Sequence, residues 1–191
     1  MKRVYLFMVG VLAVTAFLLV GCSKKAEQGK AALGTGTGSV AGVTWAVPKR
    51  WTPQPERPMR IATYAIPAAE GDAEGGECAV SFFGSGQGGN VDANIERWIG
   101  QFENASAPVK GSKDVSGMKV TTVGISGAYL APSGPMMQSA GTKANFRLLG
   151  AIADAPEGMV FFKFTGPAKT VAAAEGEFDA MIGSLSASTR N

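Results

Sequence analysis

The chain has 191 residues, with 26 Gly, 10 Pro, 2 Cys and no His, and a formal net charge of +3. At 46% hydrophobic and 17% charged residues it has the composition of a folded chain, and its length suits one domain. The missing histidine excludes Ser-His-Asp and Cys-His catalytic pairs, His-ligated metals and imidazole acid–base chemistry, and two Cys are too few for a Cys-only zinc site.

Residues 1–22 read as an export signal. Lys2 and Arg3 form a positive start, and residues 4–20 are an uncharged apolar run at the lower limit for crossing a bilayer. The run ends in Leu19-Val20-Gly21-Cys22. This tetrapeptide resembles the lipobox of bacterial lipoproteins. The resemblance implies cleavage after Gly21, a diacylglycerol thioether on Cys22 and acylation of the new N-terminus, so that acyl chains hold the protein at a membrane. Ser23 stands where an Asp would favour inner-membrane retention, so a cell with two membranes is expected to place the chain on the outer one, facing the periplasm. The signal holds two cations and no acid, so the remaining 170 residues carry a formal +1. No Lys/Arg cluster interleaved with aromatics follows, and no nucleic-acid partner is expected. Lys24 and Lys25 suit the lipid headgroup region.

Residues 22–42, rich in Gly, Ser and Thr, are expected to be the lipidated Cys and a flexible tether, roughly 25 Å long on average. A single α+β domain is expected over 43–191. Residues 43–47 alternate and stop at Pro48, as a short strand does. Residues 51–58 are a Pro-rich connection, and 59–66 and 78–83 read as strands around a Gly/Ala/acid turn. Asn90 offers a helix cap, and Val91, Ile95, Trp98, Ile99 and Phe102 make one apolar face, with Glu96, Arg97 and Gln101 on the other side. Residues 118–130 read as two short strands or one bulged strand, and 131–142 as a mobile Pro/Gly/Met loop. A hairpin around 154–158 joins strands at 145–153 and 159–165. Val171, Ala174, Phe178, Met181, Ile182 and Leu185 form the stripe of a closing helix. The links between strands are too short for parallel crossovers. The pattern therefore predicts an antiparallel sheet of about six strands with two packing helices, about 91–103 and 167–185.

Chemistry-bearing motifs are few. Gly84-Ser85-Gly86-Gln87-Gly88-Gly89 fits G-x-G-x-x-G and precedes a helix, so its backbone amides could cradle an anion. A dinucleotide site would need a parallel strand after the helix, and residues 103–111 supply none. A strand-to-helix connection is the plainer reading, with Gly86 and Gly89 kept as candidate contacts. Glu70, Asp72, Glu74 and Glu77 cluster without calcium-loop spacing and read as a solvated turn, a cation site being the alternative. Cys78, in an apolar run, reads as a buried small hydrophobe. Trp45 and Trp98 fall on core faces. Trp51, among prolines, is a candidate exposed contact, as are Met136 and Met137 in the 131–142 loop. No residue is assigned to catalysis, a cofactor or a metal.

Trp45-Ala-Val-Pro-Lys-Arg-Trp51, Met59-Arg-Ile-Ala-Thr-Tyr64, Asn94 to Phe102 (NIERWIGQF) and Phe161 to Pro167 (FFKFTGP) together resemble uncharacterised bacterial lipoprotein families. The extended opening strand, antiparallel sheet and C-terminal packing helix are more distantly similar to the PsbP-like fold. That resemblance implies a binding or assembly module and transfers no functional residue. The expectation is a lipid-anchored, non-enzymatic envelope protein with a protein partner and no cofactor. The alternative is a solute-binding domain rimmed by residues 84–90 and 131–142.

Overall fold

A computed structural model describes residues 33–133 and 138–187. Residues 1–21, expected as a signal, and Cys22, Lys24, Lys25, Met136 and Met137 lie outside the described residues.

The first hairpin joins β1 (Leu33–Val40) to β2 (Val43–Pro48) through Ala41 and Gly42, both at positive φ, 53° and 72°. Such a turn matches the twist of the strands it connects. The Gly/Thr run expected as tether up to residue 42 is therefore a strand from Leu33 onward. Glycine's poor strand propensity is outweighed by packing: a side chain at Gly38 would collide with the Trp45 indole, so its absence lets β1 close over that ring.

Along the chain follow β3 (Thr52–Pro53), β4 (Ala62–Ile66), β5 (Gly76–Phe82), α1 (Val91–Ile99), β6 (Phe102–Glu103) and β7 (Val109–Val115). Then come β8 (Met118–Ser133), β9 (Gln138–Ala155), β10 (Gly158–Pro167), α2 (Ala168–Gly183) and β11 (Ser186–Ala187). An eight-stranded antiparallel sheet runs β3-β4-β5-β10-β9-β8, with β6 and β7 paired to different stretches of β8's outer edge. A second, three-stranded sheet is β1-β2-β11. The architecture is α+β as expected, with more strands than six. Two-residue strands carry too little pattern to detect, and β7 is polar and exposed up to Val115. It forms because β8 offers it an edge and a tight turn at Ser116-Gly117 directs it there, with Asp114 Oδ1 accepting from the Gly117 amide at 3.0 Å.

Residues 118–130 are one bulged strand, with register shifts between Gly127 and Tyr129 and between Leu130 and Pro132. Residues 131–133 and 138–142, expected as loop, are paired arms of the β8–β9 hairpin. The β9–β10 hairpin forms as expected, around Pro156-Glu157.

Alternation along β10 divides the core. Phe162 and Phe164 face α2 and the small sheet, Phe162 meeting Trp45 edge-on at 5.4 Å between ring centroids. All six residues of the α2 stripe are buried on that side. Phe161 faces α1, with Ile95, Trp98, Leu148 and Ile152. The helix caps at Asn90, whose Oδ1 accepts from the Ala93 amide at 2.8 Å. It ends at Ile99 rather than 103, because the chain turns at Gly100 and Phe102 enters the core from β6, opposite Tyr129. Trp98 lies over Gly150 of β9, where any side chain would run into its ring.

Candidate functional site

Lys163 stands between Phe162 and Phe164 in the middle of β10. Because neighbouring side chains point to opposite faces, the strand that buries those two rings against α2 sends Lys163 to the α1 face. There it is partly buried, between β5 and β9. Its ammonium donates to Gln101 Oε1 at 2.5 Å and to Tyr129 Oη at 3.4 Å, and it lies 5.4 Å from the Tyr129 ring centroid. Both partners are neutral, and among the described residues no carboxylate pairs with it. Arg97 on α1 is in the same situation, its Nη2 donating to Asn94 Oδ1.

The remaining charges form a partly neutralised surround. Glu77 of β5 accepts from Arg57 Nη1 at 2.8 Å and from Arg60 Nη1 at 2.6 Å. Lys143 of β9 pairs with Glu74 at 2.5 Å and lies 5.3 Å from the Phe146 ring centroid. Five cations therefore face two carboxylates. Burial, then the Arg60 and Arg97 charges, lower the Lys163 pKa to about 8, with Glu77 pulling the other way. Burial raises the Tyr129 hydroxyl, and Glu77 adds to it.

These groups line one open groove with two lobes. The polar lobe, about 330 Å³, is lined by Arg57, Arg60, Glu77, Lys143 and Lys163. The other, about 460 Å³, adds an apolar floor of Phe83, Trp98 and Phe161, with Met59 at its edge, beside Arg97 and Gln101. Arg60, Ala79 and Lys163 belong to both. Met59 is exposed and holds a left-handed φ of 63°, which turns the 57–60 segment along the groove's rim. A groove with cations at one end and aromatic carbon at the other suits an anionic group carried on an apolar body.

Of the residues singled out in the sequence, Trp98, Glu74 and Glu77 line the groove, and the described candidate contacts lie elsewhere. Trp51 is 4% exposed, and its Nε1 donates to Glu177 Oε2 at 2.8 Å, so it is a core residue and not the exposed one expected. Gly86 and Gly89 hold φ of 69° and 79°, and their loop is tied to α1 by Asn94, whose Nδ2 donates to the carbonyls of Gly88 at 2.7 Å and Asn90 at 2.9 Å. Neither glycine lines the groove, and an antiparallel sheet offers no dinucleotide crossover. The acidic run is taken apart by its partners: Asp72 Oδ2 accepts from the Thr170 amide at 2.9 Å and hydroxyl at 2.7 Å, while Glu74 and Glu77 face the groove. Among the described residues no three acids or thiols gather to hold a metal. Cys78 is fully buried, and burial pushes its thiol far up. Trp45 and Trp98 are core residues, as expected.

Sequence reading missed Lys163, and it assigned Arg97 and Gln101 to the outward side of α1. One signal was available: a single lysine inside Phe161-Phe-Lys-Phe164 places a charge on a strand buried on both faces. Arg60 carried none, since its position depends on the turn at 57–60.

The central antiparallel sheet, with α1 on one face and α2 on the other, is a PsbP-like α+β fold. The solution structure of cyanobacterial PsbP (CyanoP) from Synechocystis sp. PCC 6803 matches with a TM-score of 0.52 at 12% identity, covering 84% of this chain and 95% of that one. A protein of unknown function from Pseudomonas aeruginosa matches with a TM-score of 0.45 at 12% identity, covering 78% of this chain and 93% of its own. At this identity the likeness concerns fold alone. No protein-family model matches the chain, and no curated protein does.

Proposed function

We propose that the chain is an exported lipoprotein, anchored through acyl chains on Cys22, whose PsbP-like body is a non-catalytic module that binds a protein partner in the envelope. The outer membrane, facing the periplasm, is the proposed location where the cell has two membranes. The observation that carries the binding role is the α1-face groove, where Lys163 and Arg97 stand without carboxylate partners among the described residues, beside exposed apolar carbon. Its openness suits contact with another protein's surface better than enclosure of a free solute, which pockets surround on most sides. The solute-binding alternative has residues 84–90 and 131–142 as its rim, and the groove takes Ala131 from the second segment and no lining residue from the first.

The anchor is tested by feeding labelled palmitate and comparing the membrane fractionation of wild type with Cys22→Ala. Label in the wild type alone, with release of the variant from its normal fraction, supports it. An unlabelled wild type, or unchanged fractionation, overturns it. The binding role is tested by crosslinking in native membranes and mass spectrometry. A partner recovered in stoichiometric amount supports it, and recovery of only uncrosslinked chain counts against it.

A further inference from the structure

Resting on that binding role, we propose that the α1-face groove docks an extended acidic segment of the partner, setting a carboxylate between Lys163, Arg60 and Arg97 and an adjacent apolar side chain on Met59, Phe83, Trp98 and Phe161.

Charge complementarity selects this occupant. The groove holds five cations against two carboxylates, and both carboxylates are already engaged, Glu77 by Arg57 and Arg60 and Glu74 by Lys143. A further carboxylate would be the missing counter-ion of Lys163 and Arg97. Arg60 reaches the shared wall of the two lobes with one guanidinium nitrogen bonded to Glu77, leaving other N–H donors for an incoming anion. The ammonium of Lys163 is held by Gln101 and Tyr129, so its position is set before anything binds. A few residues beyond, the floor changes to aromatic carbon and the Met59 side chain, a flexible apolar edge that adapts to a side chain laid against it. Alternation of an acid with an apolar residue along an extended peptide matches that change of lining.

The test uses the full lipidated chain in phosphatidylcholine nanodiscs and fluorescein-labelled acetyl-Gly-Phe-Asp-Phe-Glu-Gly-amide, read by fluorescence anisotropy. The same peptide with Asn and Gln in place of its acids is the control, and empty nanodiscs give the background. The expected result is saturable binding of the acidic peptide, at least tenfold weaker for the amide peptide and for Lys163→Gln, and weakened by salt. Arg97→Gln, a surface change on α1, provides a second variant expected to weaken binding should Lys163→Gln fail to fold. Equal binding of both peptides, or binding unchanged in both folded variants, overturns the proposal. So does the absence of saturable binding. Displacement of the acidic peptide by laurate but not by excess unlabelled peptide would assign the groove to a lipid and likewise overturn it. The wider reading is tested separately: a partner still crosslinked to Lys163→Gln in membranes overturns the groove proposal and leaves the binding module standing with its contact elsewhere.

Discussion

The indole N–H of Trp51 donates to Glu177 Oε2 at 2.8 Å across 126 residues of sequence, and Arg50 Nε donates to the other oxygen of the same carboxylate at 2.6 Å. This pair fastens the Pro-rich segment after β2 to the middle of α2. Glu177→Ala removes the acceptor and leaves a buried donor unpaired, so a loss of about 1.5–3 kcal/mol is expected in urea unfolding. Trp51→Ala is expected to cost about 3–5 kcal/mol, since its ring also packs on Phe164 at 5.4 Å between centroids. A Trp51→Ala loss below about 1 kcal/mol would contradict the buried assignment.

Asp72 acts as the cap that α2 lacks in its own sequence. Pro167 at the N-cap position has no side-chain acceptor, and the carboxylate arrives from the loop between β4 and β5. Asp72→Ala is expected to lower stability by about 0.5–2 kcal/mol, with Asp72→Asn retaining much of it. Added calcium should leave the melting temperature of the wild type unchanged. A calcium-dependent rise abolished by Asp72→Ala would revive a cation role.

Lys163 makes stability depend on pH in a defined window. Its folded pKa of about 8 lies below the ordinary 10.5, so between those values the unfolded chain binds a proton that the folded chain has released. Stability therefore rises with pH from about 8 to 10.5 through this group. Tyr64, Tyr129 and Cys78, raised by burial, act in the opposite sense as pH rises through their ordinary values. Tyr64 and Cys78 are common to wild type and Lys163→Met and cancel in the difference, whereas Tyr129 touches Lys163, so both proteins carry Tyr129→Phe for this comparison. Denaturation of both proteins at pH 7, 8.5 and 10 should show the protein with Lys163 gaining on Lys163→Met with each step. A flat difference would mean that Lys163 titrates as a solvated lysine, and a falling one that folding raises its pKa; either contradicts the lowered value.

Gly150 supplies the seat for α1. Gly150→Ala would press a methyl group into the Trp98 ring, and an expected cost of about 1–3 kcal/mol follows from overpacking. Gly176→Ala, in α2 with open space where the methyl group would go, should be neutral or stabilising by up to about 1 kcal/mol. Comparison of the two midpoints in urea separates packing from helix propensity.

The sequence by itself determined what depends on local period and on chemistry present or missing. The α2 stripe, the Asn90 cap and the β9–β10 hairpin are all legible, because each is set by residues within a few positions of one another. The exclusion of histidine chemistry needs no structure at all. Only the tertiary structure decided what depends on distant partners. Trp51 looked exposed because its neighbours are prolines, and it is buried because Glu177 and Phe164 come to it from α2 and β10. Leu33–Val40 looked like tether because glycine disfavours strands, and it pairs because Trp45 needs a cover without side chains. The groove could not be read as one site, since Arg60, the Arg97–Gln101 pair, Tyr129 and Lys163 come from four separate segments. Sheet order and the alternation of β10 bring them to one face, and the physical reason is that a strand burying Phe162 and Phe164 on one side must present Lys163 on the other.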